Sequence, residues 1–327
     1  MHRLRVRIGL RPLVFVAVGA ALLSAVAISA RPDDPPTFGP WSAPVNLGKV
    51  VNSSSAYDAC PTISRDGLSL YFRSDRPQHS EGGFDIWVAQ RDSVDDPWER
   101  PVDLGPTING PYHEYCSTLS PNGHWLVFVS DRPVSAGGCG GQDLWISYRR
   151  DKRDTFGWET PRNLGCNSVN SAAAENGPNW FEDKATGRVL LYFSSSRPGG
   201  QGVTDIYVSE ATGDEEYPFG PPVAVAELNT AFSDYQPALR KDGLEIFFAS
   251  GRPGGSGYVD LWTSTRESTL DPWSAPVNLG PVVNSAYYDF HPTLSLDGTM
   301  LIFASERGGP SDGWGDLWMT TRVRVWH

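Results

Sequence analysis

A unit of 54 to 61 residues returns five times along this chain. Its clearest markers are the segments beginning Trp41-Ser-Ala-Pro-Val, Trp98-Glu-Arg-Pro-Val, Trp158-Glu-Thr-Pro-Arg, Phe219-Gly-Pro-Pro-Val and Trp273-Ser-Ala-Pro-Val, spaced by 57, 60, 61 and 54 residues. Self-similarity at such a period signals one supersecondary unit that cannot bury its apolar face alone and must pack against copies of itself.

The landmarks inside each unit define its strands. An Asn follows the Trp-x-x-Pro segment (Asn52, Asn109, Asn170, Asn229, Asn284), and an acid comes next, at Asp58, Glu114, Glu175, Asp234 and Asp289. A short strand starts there. It ends in a tight turn at Asp66-Gly67, Asn122-Gly123, Thr186-Gly187, Asp242-Gly243 or Asp297-Gly298, the chemistry of a hairpin whose backbone must reach positive φ. An apolar second strand closes on Phe-x-Ser-x-Arg, from Phe72, Ser74 and Arg76 in the first copy to Phe303, Ser305 and Arg307 in the last. A Gly-rich loop leads to a third strand opening Asp-[Ile/Leu]-[Trp/Tyr] at Asp85, Asp143, Asp205, Asp260 and Asp316, and the next Trp-x-x-Pro-Val segment supplies the fourth.

Four short antiparallel strands in each of five units, with abundant Gly and Pro and no long helical periodicity, predict an all-β five-bladed β-propeller, since radial repetition protects most sheet edges. After Asp316-Leu-Trp no sixth Trp-x-x-Pro-Val segment follows, and the first such segment, from Trp41 to Leu47, has no blade before it. The N-terminal strand is therefore expected to complete the last blade. A solenoid would need atypical caps instead.

The Pro-x-x-Ser-x-Asp-Gly, Phe-x-Ser-x-Arg and Asp-Leu-Trp series resembles the TolB-like, WD-related propeller repeat of bacterial envelope and secreted proteins, over residues 38 to 326. That resemblance implies the fold and leaves function open, because the family spans binding modules, parts of envelope proteins and non-catalytic domains of peptidases. The separate N-terminal α/β domain of TolB has no counterpart here, so the resemblance does not extend to a role in translocation.

Residues 1–30 read as a signal peptide or an N-terminal membrane anchor: Arg3, Arg5, Arg7 and Arg11 precede the uncharged apolar run 12–30, with a small-x-small cleavage site at Ala25-Val26-Ala27. A linker (31–37) and the propeller (38–327) follow, and the expected location is periplasmic or extracellular. Without the leader the chain has 23 basic and 38 acidic residues, a formal charge of −15. Such a balance argues against nucleic acid as a partner and limits membrane contact to the N-terminal segment if it is retained. A protein or a glycan is the expected partner.

Features present in all five units are expected to be scaffold, and the Ser-x-Arg and Asp-[Ile/Leu]-[Trp/Tyr] motifs predict an Arg–carboxylate pair holding the long loop to the third strand. The five entry acids, Asp58, Glu114, Glu175, Asp234 and Asp289, have two readings. Grouped near the axis they would form a ligand site, with Ca²⁺ as one occupant; alternatively each caps the backbone of its own loop. Tyr57, Tyr112 and Tyr287, just before three of the acids, are candidate ligand-binding rings at a loop-rich mouth.

Two residues after each acid the units stop agreeing, at Cys60, Cys116, Gly177, Gln236 and His291. By the period-two rule these lie on the acid's side of the strand. Cys60, Cys116, Gln236 and His291 form a candidate transition-metal set on the axis; a Cys60–Cys116 disulfide, or two buried thiols beside a core His, competes with it. Cys139 and Cys166 are expected to pair as a disulfide.

These residues support an exported binding propeller recognising a glycan or protein. The alternatives are a glycoside hydrolase-like enzyme using mouth carboxylates, with Glu114, Asp289 and His291 as first catalytic candidates, and a metal-binding propeller.

Overall fold

The computed structural model describes residues 36–77, 83–213, 219–308 and 315–325. Phe38–Arg324 form one compact unit. The chain ends make a second, described only at residues 36, 37 and 325, where the Thr37 hydroxyl donates to the Val325 carbonyl at 3.1 Å. The N-terminal apolar run lies outside the described residues. Among the described residues no helix is long and apolar enough to cross a membrane.

The larger unit is built from five antiparallel four-stranded sheets. Blade 1 comprises Ala59–Ile63, Ser69–Ser74, Asp85–Gln90 and Val102–Asp103; blade 2 comprises Glu114–Leu119, Trp125–Ser130, Asp143–Tyr148 and Arg162–Asn163. Blade 3 comprises Glu175–Glu182, Val189–Ser195, Asp205–Glu210 and Val223–Ala224; blade 4 comprises Asp234–Leu239, Glu245–Ser250, Asp260–Thr265 and Val277–Asn278. Blade 5 joins Asp289–Leu294, Met300–Ser305 and Asp316–Thr321 to Val45–Asn46, whose residues pair with Met319 and Trp318. Each inner strand touches the inner strands of both neighbouring blades, and that of blade 5 returns to that of blade 1. The chain is thus a five-bladed β-propeller closed by its N-terminal strand.

The repeated residues show how the ring holds. The five buried Asn side chains act as substitute peptide groups. Each Oδ1 accepts the N–H, and each Nδ2 donates to the carbonyl, of the residue after the third-strand Asp (Ile86, Leu144, Ile206, Leu261, Leu317), all at 2.7–3.1 Å. The Asn52–Leu317 pair does this across the closure of the ring, tying the first segment to the last blade.

A second device escapes sequence reading. Six residues after the third-strand Asp, Arg91, Arg149, Arg266 and Arg322 lay their guanidinium groups 4.1–4.4 Å from the rings of Trp98, Trp158, Trp273 and Trp41. Each Nε donates at 2.7–2.8 Å to the carbonyl of a hairpin glycine. Cation–π attraction and a charge-assisted hydrogen bond therefore fix the outer strand to the turn. Blade 3 lacks both halves of the pair, with Ala211 opposite Phe219. Their joint replacement within one chain identifies them as a unit.

Candidate functional site

The inner strands run between two faces, an acid face where the entry loops lie and a turn face where the Asp-Gly hairpins lie. All five entry acids are fully enclosed at the acid face. Asp234 accepts from the Thr230 amide (2.6 Å), the Thr230 hydroxyl (2.7 Å), the Ser250 hydroxyl (2.5 Å) and Arg252 Nη2 (2.5 Å). Asp289 repeats this with Ser285, Ser305 and Arg307. Asp58, Glu114 and Glu175 are paired with Arg76, Arg132 and Arg197 at 2.7, 3.2 and 3.0 Å. Each Arg also caps a carbonyl of the entry loop (Val51, Ile108, Val169, Leu228, Val283) and lies over the second-strand Phe and, in the same blade, the third-strand Trp or Tyr.

The expected pairing of Arg with the third-strand Asp is thereby corrected. The Ser-x-Arg turn directs the guanidinium back to the entry acid of its own blade. Asp143, Asp205 and Asp260 instead accept from amides of the Gly-rich loop, as Asp260 does from Ser256 and Gly257, and Asp143, Asp260 and Asp316 accept from an outer-strand Asn, as Asp316 does from Asn46 at 2.8 Å. The loop comes this close because Gly255 has no side chain: a Cβ there would sit 2.1 Å from Asp260 Oδ2. The entry carboxylates are neutralised inside their blades and do not converge on the axis. Burial, against the pull of Arg76, still raises Asp58 above the usual range. Glu114 and Asp289, the first catalytic candidates, are bound by Ser130 and Arg132 and by Ser305 and Arg307 respectively.

At the acid face the axis is packed with rings. Arg73 lies 5.0 Å from the Tyr57 ring, 4.6 Å from Phe84 and 5.6 Å from Tyr115, and Tyr57 also contacts Phe290. The Tyr57 hydroxyl donates to Glu306 at 2.9 Å, and burial together with that carboxylate pushes the phenol above its usual range. Tyr57 is therefore part of this plug. Tyr112 is half-buried and Tyr287 exposed.

Below the plug sit Cys60, Cys116, Gly177, Gln236 and His291, all with φ between 43° and 57°. The left-handed backbone makes a bulge in the inner strands, seen as a register shift against each second strand. The bulge breaks the period-two alternation, so these residues do not share the acids' surroundings. They form the floor of a cavity instead. Cys60 and Cys116 are joined as a disulfide, His291 Nε2 lies 3.3 Å from the Cys116 sulphur, and Gln236 Oε1 accepts the His291 amide at 2.9 Å. Burial, and next the Arg73 charge, hold the His291 imidazole well below its ordinary value. Cys139 and Cys166 form the second disulfide.

The cavity above this floor is axial, about 550 Å³, and opens at the turn face. One residue per blade, three positions beyond the bulge, forms its wall: Ile63, Leu119, Trp180, Leu239 and Leu294. Polar groups between floor and wall tie neighbouring blades together. The Thr62 hydroxyl donates to the Ser117 carbonyl, the Trp180 amide to Thr118 Oγ1 at 3.2 Å and the Leu239 amide to Asn179 Oδ1 at 3.2 Å. Blade 3 departs from the pattern. Its inner strand extends to Glu182, adding Phe181 and Glu182 to the cavity wall. Phe181 packs so closely that a Cβ on Gly243 would lie 2.4 Å from its ring. The cavity thus lies at the opposite end of the ring from the expected mouth.

No family model and no curated protein matches the chain. Solved structures do. The chain is similar to an α-L-arabinofuranosidase from Lactobacillus brevis (15% identity, 86% of this chain and 95% of that one, TM-score 0.56). It is also similar to the catalytic domain of the Coprinopsis cinerea GH62 α-L-arabinofuranosidase (15%, 90% and 100%, 0.56) and to a thermostable family-43 glycoside hydrolase (14%, 84% and 91%, 0.55). At such identities the likeness is one of fold.

Proposed function

We propose that this chain is an exported saccharide-binding propeller of the TolB-like kind, taking its ligand in the axial cavity at the turn face. The observation that carries this reading is the cavity itself. It has the size of a small-molecule site, mainly apolar walls and one indole, Trp180, in a ring of otherwise aliphatic residues. Flat apolar rings beside amide and hydroxyl groups suit the faces and edges of a sugar. The similar folds of carbohydrate-active enzymes, and two disulfides suited to an oxidising compartment, support it further.

A hydrolytic reading draws on the same likeness and needs two carboxylates at the bound sugar, roughly 5–9.5 Å apart. Four carboxylates line the cavity: Glu182, Asp183, Asp242 and Glu267. Asp183 accepts from its own turn and Asp242 is engaged by Arg240, which leaves Glu182 and Glu267.

Screening the purified chain on a glycan array, followed by product analysis of every hit, tests both readings. Binding without cleavage is the expected result. Turnover abolished by Glu182→Gln would establish the hydrolase, and the absence of any saccharide hit would overturn the proposal.

A further inference from the structure

The floor of the cavity carries a chemistry that sugar binding does not use. Cys60, Cys116 and His291 are buried, come from three consecutive blades around the ring, and hold their sulphur and nitrogen atoms within 4.8 Å of one another. All three adopt φ values that L-residues rarely take. The bulge recurs in all five blades, and it turns these three side chains onto the cavity floor. His291 Nδ1 has no hydrogen-bond partner among the described residues. The other ring nitrogen, Nε2, is the one aimed at the sulphurs, 3.3 Å from that of Cys116. Gln236 Oε1 anchors the backbone by accepting the His291 N–H, leaving the ring to face the sulphurs.

We propose that, on reduction of the Cys60–Cys116 disulfide, the two thiolates and His291 Nε2 bind one thiophilic divalent cation at the closed end of the axial cavity. The reductant is a dithiol. It supplies two electrons and two protons, leaves as its own disulfide, and converts the pair into two thiols. The incoming cation then displaces both thiol protons. Two thiolates balance the cation's charge, so the buried site stays neutral. The movement required is small. With metal–sulphur bonds of about 2.3 Å, two tetrahedral ligands lie about 3.8 Å apart, and the Cα atoms are already 4.7 Å from one another. Three protein ligands leave a fourth position on the cavity side, since all three residues line it. The oxidised chain has no thiolate to offer and is the metal-free state.

Cobalt(II) titration of the full chain, with and without prior treatment by a dithiol, tests this. Reduced protein is expected to bind one cobalt ion with a thiolate charge-transfer band, and oxidised protein to show none. His291→Ala should weaken binding by at least ten-fold. Cys139→Ser/Cys166→Ser, which removes the other disulfide, should leave both the band and its reduction dependence unchanged. Should Cys60→Ser/Cys116→Ser fail to fold, reduced and alkylated wild-type protein serves as the metal-silent control. A reduced protein that binds no more cobalt than that control would overturn the site. So would a band that survives unchanged in His291→Ala. Neither result bears on saccharide binding, which is read with the disulfide intact.

Discussion

The two ends of the ring axis are lined by the same five inner strands and do opposite things. At the acid face, the carboxylates that recur in every blade are each consumed by an Arg, a Ser or a loop amide, and four residues that do not recur in every blade, Tyr57, Phe84, Tyr115 and Arg73, close the centre. At the turn face, residues that differ from blade to blade line an open cavity. A ring of equal copies stabilises itself with what it repeats. The cavity is floored by the five bulged residues, where the copies diverge, and walled in part by the longer hairpin of blade 3.

If that division holds, substitutions at the acid face should be read in stability and those at the turn face in affinity. Arg252→Ala, which leaves Asp234 buried without its cation, is expected to have the largest effect, about 3–5 kcal/mol of unfolding free energy, checked by urea denaturation. Strong saccharide-specific loss without loss of stability would break the comparison. Cys139→Ser/Cys166→Ser opens a link spanning 27 residues at the same face, and should cost about 3.5 kcal/mol by loop entropy, measured in the same way. Arg266→Ala removes the guanidinium from Trp273 and from the Gly243 carbonyl near the turn face. About 1–2 kcal/mol is expected from those two interactions, visible as a modest fall in Tm.

The smallest effect is a pH dependence. Burial, partly offset by the Cys139 amide, raises the Asp143 carboxyl to about 6. The folded chain therefore holds this proton at a pH where the unfolded chain has released it. The contribution is fully present below about pH 4 and is lost as pH rises through about 6. Asp143→Asn should flatten that part of the stability profile in chemical denaturation at stepped pH. An unchanged slope would place the effect elsewhere.

Much of the acid face was legible in the sequence because repetition reports on scaffold. The blade number, the closing strand and the Cys139–Cys166 pair follow from spacing and compartment. Which acid each Arg meets did not follow, since the entry acid and the third-strand Asp both recur five times and only the fold of the Ser-x-Arg turn chooses between them. The Asn side chains mimic a peptide bond, a role that looks the same in sequence as any loop Asn. The turn-face cavity was hidden by backbone geometry: a positive φ at Cys60, Cys116, Gln236 and His291 defeats the alternation from which side-chain direction is inferred. One signal was present. Blade 3 spaces its entry acid and hairpin glycine, Glu175 and Gly187, three residues further apart than Asp58 and Gly67 do, and that excess supplies part of the cavity wall.

The central claim, that the ligand enters at the turn face, is tested most directly by calorimetric titration of one array-identified saccharide against wild type, Trp180→Ala and Tyr287→Ala. Loss of the indole is expected to cost roughly 2 kcal/mol, about thirty-fold in Kd, while Tyr287→Ala at the acid face leaves Kd within about two-fold. The reverse pattern, affinity lost with Tyr287 and kept without Trp180, would contradict the account.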